Sequence, residues 1–233
     1  MALDINKVVI KTSLTSCFGS RFSDVEGATA FIEELAKEAE EVSLATGDYV
    51  FREKDKSEYV YIPETGSIML ERCTASGSRQ VFAFLFTGNL LGLSERPTYS
   101  FSAKTLTNSV VIRITKQMMK DVFSKYPAVA QRYHDVTGHI LSLILDQLFV
   151  MGQKSAHQRL AHFLLDMQYR IGHGTQKFFL PMSRQDIADY LGMSLETASR
   201  GFSKLKLDAL IKIESNYQIT LLDRDKLFEY AER

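Results

Sequence analysis

Four polar residues pose the first chemical question. In MSLETASRGFSKL (residues 193–205), Glu196, Ser199, Arg200 and Ser203 recur at i, i+3, i+4 and i+7. On a surface helix that spacing normally marks the apolar stripe. The opposite face carries Ala198, Phe202 and Leu205, so such a helix would be held down on one side and chemically active on the other. A guanidinium donates two parallel hydrogen bonds, a carboxylate only accepts, and a short hydroxyl does both at close range. These match the base edges of the DNA major groove. Arg200 suits guanine O6 and N7, Glu196 a cytosine or adenine amino group, and Ser199 a neighbouring base.

Such a helix must be positioned by its neighbours. Ser183 is placed to N-cap a preceding helix over Ser183–Leu191, with Asp186 three residues on. Ile187, Ala188 and Leu191 form its inner face. Gly192 stands where a left-handed residue ends a helix cheaply, and Ser194 caps the next helix, Leu195 to about Leu207. Two short helices joined by a glycine-containing turn predict a helix-turn-helix. The hairpin expected in LIKIESNYQITLLD makes it winged, KFFLPM reads as a strand, and DKLFEYAER as a short terminal helix. Arg184, Gln185, Ser194 and Thr197 lie near helix starts, where side chains and backbone N–H groups meet phosphates. Ser203 and Lys204, further along, are also assigned to the DNA backbone.

The bulk numbers limit how such a unit works. The 233 residues carry 28 Lys and Arg against 28 Asp and Glu, and residues 156–233 carry 11 against 10. Non-specific attraction to phosphates is therefore modest, and base contacts must supply much of the discrimination. No P-loop, G-x-S-x-G, H-E-x-x-H or catalytic Cys/His signature occurs, so no catalytic residue is expected. The histidine pairs His134/His139 and His157/His162 are five apart, off a common helical face, and no metal site is expected. Two separated cysteines, Cys17 and Cys73, favour a reducing compartment and stand as candidate redox groups. The opening MALDINKVVIKTSLTS lacks an apolar core of signal-peptide length, and ILSLILDQLFVM is too short and polar for a membrane span. A cytoplasmic location without membrane contact is expected.

Upstream the texture changes twice. Residues 1–24 show no clear period and are read as an arm. GATAFIEELAKEAEEVSL predicts a helix with Phe31, Leu35 and Ala39 on one face. Between Thr46 and Thr115, β-rich runs alternate with Gly47, Gly66, Gly77 and Gly88, with Ala75–Ser78 as a hairpin loop. This predicts a small antiparallel β-roll. From Lys116 the pattern is helical. Leu141, Ile144, Leu148 and Met151 step by 3, 4 and 3, the seam of a coiled coil, and Leu143, Leu145 and Phe149 are also apolar. A dimerisation helix is predicted, buried on one side against its own β-roll and on the other against a second copy.

The stretch LPMSRQDIADYLGMSLETASRGFSKL resembles the DNA-binding signature of the CRP/FNR superfamily of bacterial transcription regulators, and the order β-roll, long helix, winged helix-turn-helix resembles it along nearly the whole chain. The resemblance implies an α+β fold: an N-terminal antiparallel β-roll of cupin-like or cyclic-nucleotide-binding-like form, a long dimerisation helix and a C-terminal winged helix-turn-helix. The expected segments are an arm over 1–24, a sensor over 25–125, the dimerisation helix over 126–155 and the DNA-binding domain over 156–233. Glu196, Ser199 and Arg200 resemble the E-x-x-S-R of the FNR-like and FixK-like branch. That implies a TTGAT-N4-ATCAA-like palindrome in double-stranded DNA, read by a homodimer that touches RNA polymerase, usually as an activator. Two departures from the family pattern matter. Cys17 and Cys73 cannot form the four-thiolate [4Fe–4S] site of FNR. Leu91-Gly92-Leu93 and Tyr99-Ser100 replace the acid and arginine that hold a cyclic nucleotide, so a buried cyclic phosphate would lack its charge partner. Neither cluster nor cyclic AMP is expected. The alternative is a regulator of the same fold gated by a small ligand, haem or thiol oxidation in the β-roll.

Overall fold

Capping residues and strand alternation set most element boundaries in the computed structural model, which describes residues 5–19, 21–215 and 217–232, with side chains from residue 8. The chain forms two compact units: residues 1–72 with 84–143, and residues 73–83 with 144–233. The division falls inside the long helix, and the second unit includes a short upstream segment.

In the first unit, α1 (Ile5–Ser16), a single 3₁₀ turn (Phe22–Asp24) and α2 (Ala28–Glu38) lead into strands β1 (Glu40–Leu44), β2 (Tyr49–Phe51), β3 (Tyr59–Thr65), β4 (Ile68–Cys73), β5 (Arg79–Leu85), β6 (Ser102–Thr105) and β7 (Ser109–Thr115). The strands form two sheets, ordered β1-β7-β3 and β2-β6-β4-β5. Next come α3 (Lys116–Lys125), capped by the Thr115 hydroxyl accepting from the Met118 N–H, and the long α4 (Pro127–Gln153).

Three expectations need correction here. The described part of residues 1–24 is not an arm, because Leu14, Phe18 and Phe22 are fully buried with Phe31 and Leu35 in one core, while residues 1–4 and 20 lie outside the described residues. The Phe18 and Phe22 rings stack at 4.4 Å, and Phe18 meets Phe31 edge-on at 5.5 Å. The predicted helix over GATAFIEELAKEAEEVSL stops at Glu38, since EEVSL pairs antiparallel with β7 as β1. The long helix does not bury its second flank within the chain: Leu143, Leu145 and Phe149 are exposed alongside Leu141, Ile144 and Leu148.

The second unit contains α5 (Ala156–Arg170), β8 (Lys177–Phe179), α6 (Arg184–Tyr190), α7 (Leu195–Leu207), β9 (Ile211–Ile213), β10 (Gln218–Leu221) and α8 (Arg224–Glu232). β10 pairs antiparallel with both β8 and β9, so the wing is a three-stranded sheet rather than a hairpin alone. No helix among the described residues is long and apolar enough to cross a membrane.

Candidate nucleic-acid interface

Helix α6 begins with a reciprocal cap. The Ser183 hydroxyl accepts from the Asp186 N–H at 3.1 Å, while the Asp186 carboxylate accepts from the Ser183 N–H at 2.9 Å and hydroxyl at 2.6 Å. Two orphan donors of the first turn are thereby satisfied. We expect Ser183→Ala to cost about 1 kcal/mol of stability, read by urea unfolding. The helix ends at Tyr190 with Leu191 as its C-cap, and Gly192 takes φ 61°, the left-handed turn that glycine permits. Two residues that sequence reasoning did not single out secure the helix pair against α5. Arg159 of α5 donates from Nη1 to the Leu191 carbonyl at 3.0 Å. Gly201 of α7 is buried so closely on α5 that a Cβ there would stand 2.8 Å from a Leu160 methyl. A glycine inside a helix was the only signal for Gly201, and nothing local marked Arg159.

Helix α7 has the two opposed faces its spacing predicted. Ala198, Phe202 and Leu205 are buried, as is Gly201. Glu196, Ser199, Arg200 and Ser203 are exposed, the side chains of Glu196 and Arg200 at 72% and 74%. Arg200 Nη2 donates to Glu196 Oε1 at 2.6 Å, which holds the guanidinium extended along the polar face. The Ser203 hydroxyl donates to the Ser199 carbonyl one turn back. Ser194 caps the helix, its hydroxyl accepting from the Thr197 N–H at 3.1 Å and sharing a hydrogen bond with the Thr197 hydroxyl. Lys204 is exposed and pairs with Asp208 at 3.0 Å.

The remaining residues assigned to phosphates divide by environment. Gln185 is exposed and donates to Asp189. Arg184 is half-buried, its guanidinium carbon 3.3 Å from the centre of the Phe202 ring, and its Nη1 has no hydrogen-bond partner within the protein. Burial lowers its pKa to about 10, still charged at neutral pH. Arg184 thus packs on the residue that anchors the recognition face, a role its sequence position did not suggest.

In α4, Leu141, Ile144 and Leu148 are all more than half exposed. Met151 departs from that seam: its methyl lies 2.7 Å from where a Cβ on Gly192 would stand, so it packs on the turn of its own chain. Cys17 is buried, donates its S–H to the Leu14 carbonyl, and burial pushes its thiol well up, whereas Cys73 is exposed. A protonated, enclosed thiol is a poor nucleophile, which leaves Cys73 as the accessible one. Among the described residues, no group of three His, Cys, Asp or Glu is placed to hold a metal ion.

Comparison with known proteins now decides the family. A Crp-like helix-turn-helix domain matches residues 158–230, and a cyclic nucleotide-binding domain matches residues 41–126. The transcriptional activatory protein AadR of Rhodopseudomonas palustris is 33% identical over 184 residues, spanning 78% of this chain and 77% of that protein. This chain belongs to the CRP/FNR family. Its relatives place it in the FixK-like branch: the nitrogen fixation regulation protein FixK of Bradyrhizobium diazoefficiens is 32% identical over 197 residues, spanning 83% of each chain. The solved structure of FixK2 from Bradyrhizobium japonicum matches with a TM-score of 0.78 and 31% identity, over 82% of this chain and 96% of that one. As a CRP/FNR family member with a Crp-like helix-turn-helix, this protein is a DNA-binding transcription regulator.

Proposed function

We propose that this regulator works in the cytoplasm as a homodimer that binds a TTGAT-N4-ATCAA-like palindrome and activates transcription through RNA polymerase, without a cyclic nucleotide or an iron–sulfur cluster. The observation that carries this reading is α7 itself, whose buried Ala198, Phe202 and Leu205 aim Glu196, Ser199 and Arg200 outward. Exposed Leu195, one position ahead, suits a thymine methyl. We read residues 25–125 as sensor, 126–155 as dimerisation helix and 156–233 as reading head.

The β-roll interior supports independence from cyclic nucleotide. Tyr99, which stands where the family's arginine meets the phosphate, is buried in a cluster with Phe51, Tyr61, Leu91 and Val111. The Phe51 and Tyr99 rings stack at 3.8 Å, and the Tyr99 hydroxyl donates to the Tyr59 carbonyl at 2.7 Å. Aromatic carbon thus fills space that a charged ligand would need. Isothermal calorimetry with cyclic AMP should show no saturable heat, and a micromolar site would overturn this part of the reading. A second reading, gating by thiol oxidation, rests on exposed Cys73. Selection of bound sequences from random DNA, run aerobically and anaerobically, tests both: recovery of TTGAT half-sites in each condition supports the main reading, recovery in only one supports gating, and recovery of neither overturns the palindrome.

A further inference from the structure

The second compact unit contains a segment far from the reading head in sequence, residues 73–83, which include the turn between β4 and β5. The turn closes on itself: Thr74 N–H donates to the Ser78 carbonyl at 2.8 Å, and Gly77 N–H to the Thr74 carbonyl at 3.0 Å. At its end, Arg79 divides its guanidinium between two carboxylates of α6. Nε donates to Asp189 at 2.6 Å and Nη2 to Asp186 at 2.6 Å, with all three side chains at most a quarter exposed. Gln80 adds a hydrogen bond from Nε2 to the Asp189 carbonyl at 2.9 Å.

Asp186 and Asp189 are three residues apart, on one face of a seven-residue helix. Two shielded carboxylates in that position repel each other and require a cation. The other oxygen of Asp186 already serves the Ser183 cap, so Arg79 completes a carboxylate that also starts the helix. Forked, charge-assisted hydrogen bonds of this kind fix geometry as well as charge. The first helix of a helix-turn-helix crosses the DNA backbone, so uncompensated charge on it is felt by phosphates within a Debye length.

We propose that Arg79 is a latch: it fastens the 73–83 turn to α6 and, by neutralising Asp186 and Asp189, sets how tightly the reading head holds DNA of any sequence. Arg79 acts as a positioning residue that need not touch a base. The proposal rests on the DNA-binding reading of α6 and α7, and its test separates the two.

Hydrogen exchange and fluorescence anisotropy on the full-length protein provide that test. In Arg79→Ala, amides of residues 74–83 should exchange faster while those of α7 keep their protection. Affinity for the palindrome and for scrambled DNA should fall by the same factor, about tenfold at low salt. Arg79→Lys, which keeps the charge and one carboxylate contact, should recover most of the affinity. Should Arg79→Ala fail to fold, Asp189→Asn leaves the Asp186 cap intact and should still speed exchange in 74–83. Unchanged exchange in that segment in either variant, or unchanged DNA affinity in Arg79→Ala, overturns the latch. A wild-type protein without preference for the palindrome would instead sink the proposed site sequence, and the exchange result would still decide the latch.

Discussion

Leu148→Asp is expected to leave a folded chain that no longer forms the proposed dimer and no longer holds the proposed palindrome. In one chain this side chain is 62% exposed, with Phe149 at 64% and Ile144 at 52% beside it. Six large apolar residues between 141 and 149 facing solvent on both flanks of one helix make a broader surface than a two-residue seam, and a second copy covers such a surface most economically. An aspartate there is harmless to a solvated monomer but becomes a buried, unpaired charge on association. In the proposed dimer, two linked α7 helices read two half-sites about one helical turn apart. Without linkage the second contact loses its high effective concentration, and affinity for the full palindrome should fall by at least about a hundredfold. Analytical ultracentrifugation reads the mass and anisotropy the affinity. A dimer of unchanged affinity would place the interface elsewhere.

The second large effect belongs to Arg200. Replacing it by alanine should cost about 1–3 kcal/mol at the palindrome and flatten the preference at its guanine. Stability should barely move, because the Arg200–Glu196 pair is exposed at both ends and such pairs contribute little. Thr197→Ala provides the contrast. Thr197 sits in the first turn of α7, where its contact would be to phosphate, so its loss should weaken all sequences alike. Dissociation constants on the palindrome, on the same DNA with the guanine replaced, and on scrambled DNA distinguish the two patterns. If Arg200→Ala weakens all three equally, Arg200 does not read a base.

The reading head was the most legible part of the sequence because its signals are local. Ser183 with Asp186, Gly192 and Ser194 each act within a few residues, and the helices they delimit appear at the predicted positions. What was missed depends on distant partners. Within the segment read as an arm, α1 and the turn after it are held because Phe31 of α2 and Phe123 of α3 complete the aromatic core that Phe18 and Phe22 enter. EEVSL looks like the end of a charged helix until β7 offers it a ladder. Strand β6, SAKT, is short and polar and exists because β2 and β4 flank it. The Arg79 fork joins residues more than a hundred positions apart, beyond any periodicity. Within the site, solvent-facing Glu196, Ser199 and Arg200 could be read from spacing alone. By contrast, Arg184 and Met151 took on packing roles, against Phe202 and the Gly192 turn, that only the folded chain reveals.

The central claim is that two α7 helices of a dimer read a TTGAT palindrome through Glu196, Ser199 and Arg200. Fluorescence anisotropy of the purified protein on a labelled TTGAT-N4-ATCAA duplex, against a scrambled duplex of equal length at about 150 mM salt, tests it most directly. The expected result is binding of two chains per palindrome, at least about a thousandfold tighter than to the scramble. Equal affinity for the two duplexes would contradict it.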